Sequence, residues 1–159
     1  MYWAQREKLP LTAALLEQAL AAKAALEPLR EIGNAAYRAK SYAQAIVQYV
    51  VALAAAESSK WAQERFLRPV KAALESNLAQ CLLKLERFEE AKVRAEAALA
   101  LVPPGNRLHG KSLVRLQKAE TALAHKRLAF AKAMHERLGD ESELAELVER
   151  ELFQTIAES

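Results

Sequence analysis

Residues 74–103 carry the clearest structural pattern in this 159-residue chain, LESNLAQCLLKLERFEEAKVRAEAALALVP. Large apolar residues and small alanines recur in it at helical spacing, interrupted at Glu86-Arg87 and ended by Pro103. Small residues let two helices approach closely, while larger residues fill the space between them. The stretch therefore predicts a packed pair of helices over residues 70–85 and 88–101, joined by a short turn.

The composition of the whole chain favours helices. Alanine supplies 34 positions and leucine 25, whereas valine, isoleucine and threonine together supply 14. Alanine and leucine are strong helix formers, and a sheet needs the β-branched residues that are scarce here. With 4 glycines and 5 prolines, the chain also lacks the turn residues of an all-β fold. We predict an all-α protein.

Proline, glycine and N-capping residues divide the rest of the chain into further helices. Pro28 separates the first two, Ser41 is the N-cap of the third, and Asp140 caps the last. The polar segment 57–68 connects two of them. The expected helices lie over residues 11–26, 29–39, 42–56, 108–124, 127–138 and 141–157.

The spacing of residues 74–103 recurs on both sides of that stretch. An earlier copy runs over residues 29–52, and a weaker copy runs over residues 113–133 without an aromatic residue at its turn. Gly33 and Ala79 hold equivalent positions 46 residues apart, which is a 34-residue period plus a 12-residue insertion. Three such helix pairs with an end helix are the usual minimum for a stable stack.

This pattern resembles the tetratricopeptide repeat (TPR), a helical hairpin of 34 residues. The resemblance implies a right-handed α-solenoid of three TPR helix pairs in a single domain, with an extra N-terminal helix and a C-terminal capping helix. The expected units are, in chain order, an N-terminal helix at 11–26, repeat 1 at 26–59, an insertion at 60–71, repeat 2 at 72–105, repeat 3 at 110–139 and a capping helix at 141–157.

The C-terminal segment combines an apolar stripe with a strong negative charge. Residues 139–159 hold 7 acidic residues and 1 basic residue, whereas residues 1–138 hold 22 basic and 13 acidic residues. We expect the stripe to pack on the third repeat as a cap. The alternative is that this acidic segment folds into a basic groove and blocks it. The stripe consists of Leu144, Leu147, Val148 and Phe153.

Three fragments resemble the chaperone-binding TPR domains of large immunophilins and related co-chaperones. They are REIGN at 30–34, NLAQCLLKL at 77–85 and KSLVR at 111–115. In this group, five groove residues form a two-carboxylate clamp for the C-terminal Glu-Glu-Val-Asp of cytosolic heat-shock chaperones of the 90-kDa or 70-kDa class. Four of the matching positions here keep the family residue, and the first has arginine in place of lysine. They are Arg30, Asn34, Asn77, Lys111 and Arg115.

These residue types suit an acidic C-terminus. The last aspartate of a peptide carries two carboxylates, which prefer charge-assisted hydrogen bonds from fixed donors. Arg30 and Asn34 are four residues apart, as are Lys111 and Arg115, so each pair shares one helix face. The amide of Asn77 can orient a peptide main chain by donating and accepting. Candidates for further side-chain contacts lie one turn from the clamp: Tyr37, Gln80, Leu83 and Lys84.

The remaining chemistry-bearing residues indicate no enzyme. The sequence has no Ser-His-Asp frame, no Gly-rich phosphate loop and no histidine pair at metal-ligand spacing, so we expect no catalytic activity, no cofactor and no metal. Cys81 is expected to be a small buried hydrophobic residue. The aromatic residues do not alternate with basic ones, which argues against nucleic acid, and no apolar run reaches the roughly 18 residues of a membrane span.

The function that the resemblance implies is a non-enzymatic adaptor, or co-chaperone, that recruits a heat-shock chaperone by its acidic tail. A single cysteine fits a reducing compartment, so we expect a cytoplasmic protein, and we expect a monomer. Two alternatives stay open. The chain could be a TPR scaffold subunit that binds a different acidic peptide in another complex, or the TPR fragment of a larger immunophilin or phosphatase.

Overall fold

The computed structural model describes residues 12–138 and 143–157. These residues form helices and no strand, so the all-α prediction is confirmed for them. One turn of 3₁₀ helix at Arg65–Leu67 precedes the third α-helix. The helices are α1 (Ala13–Arg38), α2 (Tyr42–Ser58), α3 (Arg68–Lys84), α4 (Phe88–Leu101), α5 (Arg107–Leu138) and α6 (Glu143–Ala157).

Helix α1 runs through Pro28, so the prediction of separate helices over 11–26 and 29–39 is wrong. Thr12 caps the helix by accepting a hydrogen bond from the backbone N–H of Leu15 at 3.3 Å, and residue 11 lies outside the described part. A proline inside a helix costs one hydrogen bond but does not end the helix where packing holds both sides. The buried residues Ala19, Leu26 and Gly33 are seven apart and share one face across Pro28.

The central helices agree closely with the sequence. Helix α4 has the predicted bounds, and α2 extends two residues beyond its prediction. Ser41 precedes α2 as expected, but its side chain makes no capping hydrogen bond. The insertion predicted at 60–71 ends earlier, because α3 begins at Arg68 with Pro69 in its first turn, where proline needs no hydrogen-bond partner.

Helix α5 is one helix of 32 residues, so the prediction of two helices over 108–124 and 127–138 is wrong. Repeat 3 at 110–139 is therefore not a helical hairpin within residues 110–138. The supposed turn at His125 and Lys126 contains neither glycine nor proline, and alanine, lysine and arginine on both sides are strong helix formers. Residue 139 lies outside the described residues.

Helices α1, α3 and α5 lie side by side, because α1 and α5 each contact α3. Helix α2 packs against α1 and α3, and α4 packs against α3 and α5. The main core lies between α1, α2 and α3, where Tyr49, Leu74 and Leu78 are buried, and Trp61 and Phe66 of the α2–α3 connection pack against it. Within the described ranges, no helix has both the length and the hydropathy that crossing a bilayer requires.

Helix α6 packs on α5, in line with the expected position of the cap. Its apolar stripe is only partly covered, since the Leu147 side chain is 44% exposed and that of Phe153 is 72% exposed. Phe153 therefore contradicts the prediction that the stripe packs as a whole on the preceding helices. The side chain of Leu144 and the residues 139–142, including the predicted cap Asp140, lie outside what the structure describes.

Candidate functional site

A pocket of about 430 Å³ lies where α1, α3 and α5 meet. We call it the groove pocket. Three of the five predicted clamp residues line it, one from each helix: Asn34 from α1, Asn77 from α3 and Arg115 from α5. The predicted accessory residues Tyr37 and Gln80 line it as well. The folded chain thus brings together side chains that are far apart in the sequence.

The buried Tyr49 of α2 also lines the groove pocket and fixes Asn34. Its hydroxyl donates a hydrogen bond of 2.7 Å to Oδ1 of Asn34, and Nδ2 of Asn77 donates to the same oxygen at 3.3 Å. The Tyr49 ring can reach this position because Gly33 has no side chain at the contact between α1 and α2. The contact between Gly33 and Tyr49 therefore helps to set the orientation of the side-chain amides of Asn34 and Asn77.

Arg115 is held in place by neutral partners on α3. Its Nε donates to Oε1 of Gln80 at 3.1 Å, and one of its terminal nitrogens donates to Oγ of Ser76. The Oγ atoms of Ser76 and Ser112 are hydrogen-bonded at 3.0 Å, which ties the same cluster back to α5. Burial lowers the pKa of Arg115, but a guanidinium stays protonated in proteins. Because these partners are neutral, the hydrogen bonds hold Arg115 in the pocket without neutralising its positive charge.

Arg38 lines the groove pocket too, one helical turn after Asn34. Its guanidinium pairs with Glu31, whose Oε2 also accepts a hydrogen bond of 3.1 Å from Nδ2 of Asn34. These two bonds, that of Arg38 first, lower the pKa of the exposed Glu31 carboxyl. The edge of the pocket on α1 thus combines one cation, one amide donor and one carboxylate.

Two predicted clamp residues do not line the groove pocket. Arg30 pairs with Glu27 one turn earlier on α1, and its Nε is buried without a hydrogen-bond partner among the described residues. Lys111 is exposed on α5, one turn before Arg115. The structure therefore assembles part of the predicted clamp and leaves these two cations beside it.

Two predicted accessory residues also lie elsewhere. Leu83 packs against the small core cluster of Leu82, Ala91 and Ala119, so its side chain serves packing between α3, α4 and α5. Lys84 is exposed at the last residue of α3. Neither residue is part of the lining of the groove pocket.

The sequence reasoning missed three residues of this site. Arg38 follows Asn34 by four residues, and the same helical spacing that paired Arg30 with Asn34 could have identified it. Tyr49 lies within the repeat copy at residues 29–52, where the spacing alone predicts a packing position. Ser76 had no sequence signal, since its role depends on the packing of α3 against α5, where its side chain is fully buried.

The groove pocket is suited to an anion. Amide groups, two phenols and two guanidinium groups line it, and such donors bind carboxylates with short, charge-assisted hydrogen bonds. No cluster of three or more His, Cys, Asp or Glu side chains that could hold a metal ion occurs in residues 12–138 and 143–157. No protein-family model and no curated protein matches the chain.

Proposed function

We propose that the chain is a non-enzymatic adaptor that binds an acidic C-terminal peptide in the groove pocket, of the Glu-Glu-Val-Asp type carried by cytosolic heat-shock chaperones. One observation carries this proposal: Asn34, Asn77 and Arg115 come from three helices and line one pocket. A carboxylate in that pocket would meet a fixed guanidinium and two amides at once. Charge-assisted hydrogen bonds of this kind are about twice as strong as neutral ones.

In this proposal the adaptor has the fold of a TPR-type α-solenoid. Support comes from the order of contacts, with α1, α3 and α5 side by side and α2 and α4 packed between successive members. Helices α1 and α2 form the first pair and α3 and α4 the second. Helix α5 takes the first position of a third pair, and α6 packs on it as the capping helix.

A calorimetric titration with a peptide that ends in Glu-Glu-Val-Asp tests the proposal. We expect a dissociation constant in the micromolar range for the free acid. Arg115→Ala should weaken binding at least about 30-fold, because losing a charged hydrogen bond typically costs about 2 kcal/mol or more. Asn77→Ala should weaken it about fivefold, as loss of a neutral hydrogen bond does.

Arg87→Ala is the matched control for these variants. Arg87 is an exposed arginine in the α3–α4 turn that pairs with Glu90 and does not line the groove pocket. Its replacement should leave peptide affinity unchanged, and circular dichroism should show that all three variants keep their helices. If Arg115→Ala and Asn77→Ala bind the free acid as tightly as the wild type, the proposed function is wrong.

The positions of Arg30 and Lys111 favour a second candidate, a scaffold whose groove takes a different acidic peptide through a single carboxylate. Both cations lie outside the pocket lining, so one carboxylate fits the observed cluster without them. A two-carboxylate clamp should lose affinity when the peptide C-terminus is amidated and when Lys111 is replaced by alanine. Equal affinity in both comparisons would favour the scaffold over the chaperone adaptor.

A further inference from the structure

Glu31 places a carboxylate of the chain itself at the edge of the groove pocket. It precedes Asn34 by three residues and Arg38 by seven, so the three side chains share one face of α1. Asn34 donates to one carboxylate oxygen of Glu31, and Arg38 pairs with the other. Glu31 does not itself line the pocket. Asn34 and Arg38, which line the pocket, are thus hydrogen-bonded to an anion that is not part of the pocket lining.

This carboxylate is ionised and displaceable. Hydrogen bonds from Arg38 and then Asn34 lower the pKa of Glu31, so the group is an anion at neutral pH. Its side chain is 56% exposed, and that of Arg38 is 64% exposed. Exposed ion pairs contribute little to stability, so a ligand carboxylate can exchange with Glu31 at small cost.

We infer that Glu31 competes with the ligand for two side chains of the groove pocket. Its carboxylate occupies the amide donor of Asn34 and the guanidinium of Arg38 and thereby limits the affinity of the pocket for acidic groups. The inference rests on the proposed binding of an acidic peptide. A bound carboxylate either takes over these two partners and releases Glu31 to solvent, or stays in the pocket beside a like charge. Both events reduce affinity, and the repulsion grows with the charge of the ligand.

The test compares Glu31→Gln with wild type in calorimetric titrations of the free-acid and amidated peptides that end in Glu-Glu-Val-Asp. Glutamine keeps the length of the side chain and an oxygen that can accept from Asn34, and it removes the charge. The matched control is Glu27→Gln. Glu27 is an exposed carboxylate one turn earlier on α1, and its partner Arg30 does not line the pocket.

We expect Glu31→Gln to bind the free acid about three- to tenfold more tightly than wild type, with a smaller gain for the amide. Glu27→Gln should stay within about twofold of wild type. If the wild type binds the free acid and Glu31→Gln binds it no more tightly, the proposed competition is wrong while the proposed function is not contradicted. If none of the proteins binds the free acid, the proposed function fails and the competition fails with it.

Discussion

The ring of Tyr49 on α2 lies directly against the backbone of Gly33 on α1. A β-carbon at Gly33 would stand 2.5 Å from Cε1 and 2.7 Å from Cδ1 of that ring. The ring cannot withdraw easily, because Tyr49 is 2% exposed and its hydroxyl is bonded to Asn34. The contact joins the first two helices and at the same time supports the wall of the groove pocket.

Gly33→Ala should therefore destabilise the protein. Forcing extra volume into a packed contact costs about 1–3 kcal/mol, and the better helix propensity of alanine returns about 1 kcal/mol. We expect the free energy of unfolding, measured by urea denaturation, to fall by up to about 2 kcal/mol. A weaker tail-peptide affinity should accompany this loss, because Asn34 follows Gly33 and is positioned by the same ring.

Gly110→Ala is the control for that variant. Gly110 is exposed in the first turns of α5, and a β-carbon there would meet no atom within 4 Å. Alanine should raise stability by up to about 1 kcal/mol through helix propensity alone. A loss of stability in Gly110→Ala equal to that in Gly33→Ala would show that the Tyr49 contact is not the cause.

Alkaline pH should weaken the fold through Tyr49. Burial raises the pKa of this phenol to about 12, compared with about 10 in the unfolded chain. Since the folded state holds the proton more tightly, its stability falls as pH rises from 10 to 12, by up to about 1.4 kcal/mol per pH unit from this group. Urea denaturation across that range should show a shallower decline for Tyr49→Phe, which cannot ionise. Parallel pH profiles for both proteins would contradict the assignment.

The sequence predicts α2, α3 and α4 well because their signals are local and agree with one another. Alanine and leucine spacing marks their faces, and turn residues stand at their ends, so Phe88–Leu101 has the predicted bounds. The errors at Pro28 and at residues 125–126 have a shared origin. In both places a boundary was inferred from a local signal or from the repeat frame, whereas packing and helix propensity keep the helix continuous.

The groove pocket was predicted in part for a related reason. Asn34, Asn77 and Arg115 were identified by the resemblance to the clamp pattern, and all three line the pocket. Spacing gives the face of a helix but not the partner of a long, flexible side chain. Arg30 pairs with Glu27 and Arg38 lines the pocket, and helical spacing allows both arginines near Asn34 without choosing between them.

The alkylation rate of the single cysteine, Cys81, should distinguish the folded from the unfolded chain. Cys81 is fully buried, and burial raises the pKa of its thiol to about 11. Compared with an unperturbed thiol of pKa about 9, the thiolate is then about 100-fold scarcer at neutral pH. We expect iodoacetamide to label the native protein at least that much more slowly than the urea-unfolded chain. Equal labelling rates in the two states would contradict the burial of Cys81.

Removing the proline inside α1 should stabilise the protein. Pro28 is exposed and lacks the N–H that would bond to the carbonyl of Ala24, and a proline in a helix interior costs about 3 kcal/mol relative to alanine. Alanine also makes the unfolded chain more flexible, which offsets about 1 kcal/mol of the gain. We therefore expect Pro28→Ala to raise the free energy of unfolding by about 2 kcal/mol in urea denaturation.

Lys23→Ala provides the comparison for Pro28→Ala, since Lys23 is exposed on the same helix. It should change stability by no more than about 0.5 kcal/mol, as surface substitutions usually do. The proline variant should also slow amide hydrogen exchange before residue 28, because the restored hydrogen bond couples the first half of α1 to the buried second half. Unchanged exchange there, with unchanged stability, would mean that α1 ends at Pro28 in solution and that a separate helix follows it.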